Sequence, residues 1–326
     1  MRLGKQIAAL TGLAVAFLSF DITVYNLITK RYIDRQSDEM KSRSVAVSEY
    51  LPFTADSGIV HISAPARLSG DLPVLDGAAA LFPVYSAFAD ALYPAESVSY
   101  DGTDFSAESA VQFSNTRGAY QAVADGTADV IFCAKPSAEQ LQYAEEKGAE
   151  LKLVPIGCEA FVFLVSSENP VDNLTVEQVR GIYSGAYTRW SDVGGDRSFI
   201  DAVQRNAGSG SQTAMLSFMG ETEMHRSLTG ALFGRAIGYS FRYYTEGLTE
   251  KRDVKMLSLN GVYPDAENIA NGSYPVSSNF YAVYDAANPN PNIQILLDFI
   301  LSADGQRIVR ESGYVPLQAG EAAAQN

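Results

Sequence analysis

Short apolar runs, turns of small residues and stretches with helical spacing follow one another along most of this chain. The first such unit runs from Leu72-Pro73-Val74-Leu75 through Asp76-Gly77-Ala78-Ala79-Ala80, then places Leu81, Val84, Tyr85, Phe88 and Leu92 on one helical face. A looser second unit joins Val111-Gln112-Phe113 to the turn Ser114-Asn115-Thr116-Arg117-Gly118 and a helical run through Val123 that stops at Asp125-Gly126. Asp129 to Ala134 and Ala160 to Ser166 read as buried strands, and a capping box from Thr175 to Gln178 with a Leu174/Val179 staple predicts a helix that ends by Gly185. In a third unit the strand-like segment Phe199 to Gln204 leads into Arg205-Asn206-Ala207-Gly208-Ser209-Gly210-Ser211, and Ala214, Met215 and Phe218 follow at helical spacing before Gly220. Further strands are predicted at Ala236 to Ser240, Val254 to Leu259 and Phe280 to Asp285, and a helix from Pro291 carries Ile293, Leu296, Leu297 and Ile300 on one side. Strands alternating with helices predict an α/β architecture.

In such folds ligands sit at the carboxyl ends of strands, where turns lead into helices. Three turns answer that description: Ala78 to Phe82, Ser114 to Thr116 and Gly208 to Ser211. Glycines let successive N–H groups point into one concavity, a helix N-terminus adds unpaired donors and partial positive charge, and Ser209 and Ser211 add hydroxyls. Arg205 supplies a forked cation. Taken alone, a Gly/Ser turn with an arginine is an ordinary surface turn; small or hydroxyl residues at three strand-to-helix turns point to an anion pocket.

Charge limits what that pocket serves. The chain has 326 residues, 24 basic against 38 acidic, for a net charge of −14. That balance leaves no basic face for nucleic acid, so any anion site must be local. With 47% hydrophobic residues the composition is globular, and the length allows two lobes. Gln6 to Thr29 is mostly apolar after Arg2 and Lys5, about the length of a bilayer span, although Asp21 lies inside it. The run reads as an uncleaved signal anchor; a cleaved signal peptide, cut after Ala14-Val15-Ala16, is the alternative. Charge counting alone, with Lys30, Arg31, Arg35, Lys41 and Arg43 on the carboxyl side, argues against export. Cys133 and Cys158 read as buried small hydrophobes, with a disulfide as the alternative, and no CxxC or HxxxH spacing supports a metal.

The ordered set of motifs resembles the PstS family, the phosphate-binding proteins of ABC transporters, and more broadly the type II periplasmic-binding-protein fold. The likeness rests on Asp76 to Pro83, Asp125 to Phe132, Asn169 to Thr175, Ile182 to Gly185, Trp190 to Gly195, Arg205 to Thr213, Ala236 to Ser240, Gly305-Gln306 and Gly313 to Leu317. It implies export, which overrides the charge count, and a division into an anchor (residues 1–30), a stalk (31–69), a discontinuous first lobe (70–158 and 272–320) and a second lobe (159–271). It also implies an anion held between the lobes by backbone N–H groups of Ala80 and Leu81, the Ser114 hydroxyl, the Arg205 fork, and the nest and hydroxyls of Ser209, Gly210 and Ser211. One departure stands out: where family members place a carboxylate to accept the phosphate proton, this chain has Ala207 and Ala134. Lys135 reads as a solvated lysine or as added positive charge.

The expectation is therefore an extracytoplasmic receptor, not an enzyme, that binds inorganic phosphate or a related oxyanion for an ABC permease and needs no cofactor. A membrane-anchored sensor or surface binding protein without transport is the alternative. A hydrolase has little to stand on, since the two histidines are His61 in the stalk region and His225 in a polar stretch, and there is no GxSxG elbow or phosphate-loop lysine motif.

Overall fold

In the computed structural model the described residues are 46–64, 66–205, 209–225, 235–243, 245 and 254–317. Its longest strand organises the rest. β1 (Leu75–Gly77) lies parallel to β2 (Val130–Ala134), and β3 (Leu151–Ser166) then runs for 16 residues. The amino-terminal part of β3, Leu151 to Ala160, pairs with β9 (Ser277–Asp285), which in turn pairs with β2. Its carboxyl-terminal part, Phe161 to Val165, pairs with β6 (Arg235–Phe241), and β6 carries β5 (Ile200–Ala202) as a parallel neighbour. One strand thus belongs to two sheet segments, with the changeover between Ala160 and Phe161.

Patterning alone predicts only Ala160 to Ser166 as strand here. The earlier residues include exposed Lys152 and half-buried Leu153 and Val154, and Pro155 lies among them, so they carry no continuous apolar signal. Proline cannot donate to the ladder, and the pairing with β9 slips between Pro155 and Gly157. Val254 to Leu259 is likewise not one strand: β7 (Val254–Met256) pairs with β3, while β8 (Ser258–Leu259) pairs with β4 (Asn173–Leu174). The Val111 segment makes only an isolated bridge to Leu75.

Helices cover the sheet. They are α1 (Phe82–Leu92), reached through a 3-10 turn at Ala79–Leu81, α2 (Asn115–Ala124), α3 (Ala138–Lys147), α4 (Val176–Tyr183), α5 (Gly210–Met219), α6 (Ala266–Ala270), α7 (Asn292–Leu301) and α8 (Ala303–Glu311). The expected capping box of α4 forms, with Thr175 accepting from the Gln178 amide and Gln178 from that of Thr175. Among the described residues, two of the buried clusters follow the two sheet segments. One gathers Phe161, Phe163, Tyr183, Trp190, Met215, Phe218, Tyr239 and Leu257. The other joins Ala119, Tyr120 and Val123 of α2 to Ile131, Cys133 and Val283. Each large side chain buried this way contributes about 2–3 kcal/mol.

The described part of the expected stalk packs against α1. Ser86 Oγ donates to the Tyr50 carbonyl, the Phe53 amide to Asp90 Oδ1 at 2.7 Å, and the Leu68 amide to the Leu92 carbonyl at 2.7 Å, over buried Ile59, Ile62 and Leu68. His61 pairs with Asp90 at 2.9 Å, and His225 is exposed, lying over Gly185. No disulfide links Cys133 and Cys158. Among the described residues no helix is long and apolar enough to cross a membrane, and the apolar run from Gln6 to Thr29 lies outside them.

Candidate anion-binding site

Two turns meet at a buried carboxylate. Asp76, the middle residue of β1, is 2% exposed. Its Oδ1 accepts from the Gly77 amide at 2.7 Å and the Ser114 amide at 2.8 Å, and its Oδ2 accepts from the Ser114 hydroxyl at 2.5 Å. Burial pushes the Asp76 carboxyl above its ordinary value, and the bonds from Ser114 and Gly77 pull it part of the way back. Ser114 occupies the N-cap of α2, where a serine ordinarily accepts from a helix amide; here it makes no such bond, and its hydroxyl turns to Asp76. Asn115 takes a positive φ of 61° to bring the chain into the helix, a conformation asparagine tolerates better than most residues. Gly118 leaves room for the arrangement, because a Cβ there would lie 2.7 Å from Ser114 Cβ and 2.8 Å from its Oγ.

The preceding turn is tied to the same place. The Ala78 amide donates to the Phe132 carbonyl and the Leu81 amide to the Ala78 carbonyl, both at 2.9 Å. The Leu81 donor, expected to meet an anion, is therefore already engaged, as is the Ser114 hydroxyl. Tyr314 donates to the Ala80 carbonyl, which holds the turn from its other side.

The second part of the site is braced differently. Ser209 is the N-cap of α5 and its Oγ accepts from the Gln212 amide at 3.2 Å. Gln212, 7% exposed, takes the Arg205 amide on its Oε1 at 2.9 Å and also the Tyr239 hydroxyl; that hydroxyl accepts from the Arg205 amide at 3.0 Å. Sequence reading passed over Gln212 and Tyr239, whose only signal was a glutamine three residues after a serine N-cap. Burial raises the Tyr239 phenol, while the bond from Arg205 and its positive charge pull it down. Arg205, Ser209, Gly210 and Ser211 are half-buried, as a cleft lining would be. Asn206, Ala207 and Gly208 lie outside the described residues, so the Ala207 departure has no placement. Ala134, the other departure, ends β2 and its carbonyl accepts from Tyr120 at 2.7 Å; Lys135 is exposed.

The two parts touch. A Cβ on Gly210 would stand 3.4 Å from Thr116 Oγ1 and 3.9 Å from the Phe241 ring, so the first turn of α5 lies against the first turn of α2. Thr116 is 9% exposed and, among the described residues, its hydroxyl has no recorded partner. It stands nearer Gly210 than the expected sequence candidate, Ser114, whose hydroxyl faces Asp76. Helix N-termini carry unpaired N–H donors and partial positive charge, so two of them meeting near Arg205 make an arrangement that suits an anion. Among the described residues no group of three His, Cys, Asp or Glu side chains is arranged to hold a metal.

A mixed sheet bridged by one long strand, with helix N-termini from both segments meeting across it, defines a periplasmic-binding-protein type of α/β fold. The chain belongs to the PBP superfamily domain family, whose model matches residues 73–304. It is 26% identical over 196 residues to the phosphate-binding protein PstS of Borreliella burgdorferi, covering 53% of this chain and 68% of that one. With the phosphate-binding protein PstS of Bacillus subtilis it shares 28% identity over 192 residues, 54% of this chain and 62% of the relative, so this match spans less than two thirds of the relative's length. Among solved structures it is similar to a protein of Clostridium perfringens assigned as a phosphate ABC transporter substrate-binding protein and carrying bound phosphate, with TM-score 0.57, 24% identity, and coverage of 75% and 98% of the two chains. An ABC-type phosphate transport receptor from Vibrio cholerae gives TM-score 0.54 at 21% identity, covering 74% and 99%. At these identities the structural likeness speaks for the fold.

Proposed function

We propose that the protein is an extracytoplasmic substrate-binding protein, not an enzyme, that captures inorganic phosphate or a related oxyanion and delivers it to an ABC permease. The observation that carries this reading is the contact of Thr116 with the Gly210 turn, which sets two helix N-termini beside Arg205. The names of its PstS relatives agree with that chemistry. In this reading β3 and its neighbours join two lobes, residues 70–158 with 272–320 and residues 159–271, and the anion is enclosed by a hinge motion. In the same reading Ala80, Leu81, Ser114, Arg205, Ser209, Gly210 and Ser211 line the cleft, and Thr116 joins them. Leu81 serves chiefly by shaping it, since its amide donates to Ala78, and Ser114 turns its proton to Asp76 and only its lone pairs to the cleft. Gln6 to Thr29 tethers the receptor to the membrane.

Calorimetric titration of the detergent-solubilised full chain with phosphate, with and without sulfate, tests the binding reading. Saturable binding of phosphate supports it, and absence of binding at millimolar phosphate refutes it. Co-purification of permease and ATPase subunits with the chain from its native membrane tests delivery; a chain that binds phosphate but never retains them is a sensor rather than a transport receptor.

A further inference from the structure

The Asp76–Ser114 pair bears on which oxyanion the site accepts, and the inference rests on the reading of that site as an oxyanion pocket. A hydroxyl has one proton and two lone pairs. An ionised carboxylate is an acceptor only, and three donors converge on Asp76: the Gly77 amide, the Ser114 amide and the Ser114 hydroxyl. Ser114 therefore commits its single proton inward. Yet Ser114 is exposed at the mouth of α2, two positions from the Thr116 that meets the Gly210 turn. What its oxygen offers to the cleft is lone pairs.

A ligand oxygen that approaches those lone pairs must bring its own hydrogen. Hydrogen phosphate has a P–OH at neutral pH and satisfies them, whereas sulfate is fully ionised and meets them with an oxygen bearing only lone pairs. No carboxylate stands at Ala134 to perform this discrimination directly. We propose that Asp76, a positioning residue acting through Ser114, makes the pocket selective for oxyanions that retain a proton. Gly118 is part of the device, since a Cβ there would collide with the Ser114 side chain in the orientation that reaches Asp76.

The test is a pair of titrations, inorganic phosphate and sulfate, on the detergent-solubilised full chain and on Asp76→Asn, Ser114→Ala and Arg205→Ala. The wild-type chain is expected to prefer phosphate. Asp76→Asn keeps the shape but presents an amide donor to Ser114, which releases the serine proton into the cleft; the phosphate-to-sulfate affinity ratio should fall about 10- to 100-fold, the size of one charge-assisted hydrogen bond gained or lost. Ser114→Ala should lower phosphate affinity about 10-fold and leave sulfate little changed. A merely structural role for Asp76 weakens both anions alike, and an unchanged ratio in Asp76→Asn overturns the proposal, as does a wild-type chain without preference for phosphate. Should thermal unfolding show that Asp76→Asn does not fold, the ratio in Ser114→Ala decides by the same criterion. If the wild-type chain binds neither anion, the pocket reading itself fails and takes this inference with it; if Arg205→Ala abolishes phosphate binding while the Asp76→Asn ratio stays at the wild-type value, only the selectivity inference falls.

Discussion

The two sides of the cleft solve the same problem with opposite chemistry. On the α2 side a buried carboxylate collects donors, so Ser114 is left as an acceptor and the charge sits behind it. On the α5 side neutral groups do the bracing: Gln212 and Tyr239 hold the Arg205 backbone through its amide. One side supplies an acceptor and the other a cation with hydroxyls. The difference teaches that an acidic protein can hold an anion by separating its charges within one pocket, with the carboxylate screened by the serine it orients.

The sharpest way to break this comparison is Arg205→Ala. It should cost about 2–3 kcal/mol of phosphate binding, the value of a lost charge-assisted contact, with little effect on thermal stability. Titration with unchanged affinity would take Arg205 out of the site and leave the α5 side without its charge. Gly118→Ala acts on the other side alone. Overpacking against Ser114 should destabilise the fold by about 1–3 kcal/mol in urea melts and weaken phosphate binding; a neutral effect on both would mean that the Ser114 orientation is not constrained. Gln212→Ala removes the brace behind Arg205 and leaves the Arg205 amide with Tyr239 alone, for an expected loss of about 1–2 kcal/mol in stability. Its phosphate-to-sulfate ratio should stay at the wild-type value, because both anions use the α5 side equally, and a shifted ratio would show that the two sides are coupled.

The smallest effect is in pH dependence. Because the folded Asp76 carboxyl titrates above its ordinary value of 3.8, its protonated form is favoured in the fold. Its contribution to stability is then fully present below that ordinary value and is lost as pH rises through the raised one. The stability difference between the wild-type chain and Asp76→Asn, followed by urea denaturation from acid to neutral pH, should be flat at the acid end and decline with rising pH. A difference that instead grows with pH would mean the hydrogen bonds outweigh desolvation.

Much of the second side was legible beforehand. A small-residue turn between an apolar strand and a helix has local causes, and Ser209, Gly210 and Ser211 sit at the start of α5 where that pattern puts them. The first side was legible only in outline. The turn Ser114 to Thr116 was identified, but the choice between its two hydroxyls depended on Asp76, 38 positions away, and on Gly210, which meets Thr116 from the other sheet segment. Neither relation leaves a periodic trace. The stalk illustrates the same limit: its mixed composition hid Ile59, Ile62 and Leu68, which are buried.

By itself, then, the order of residues determined most of the alternation of strands and helices, the capped start of α4, the turns that open α1, α2 and α5, and the acidic net charge. These follow from short-range propensity and summed charge, which need no knowledge of the fold. Tertiary structure alone decided that β3 serves two sheet segments, that Ser114 gives its proton to Asp76, and that Thr116 meets Gly210. Each joins groups distant in the chain, and which partner wins depends on burial and geometry that exist only once the strands have paired.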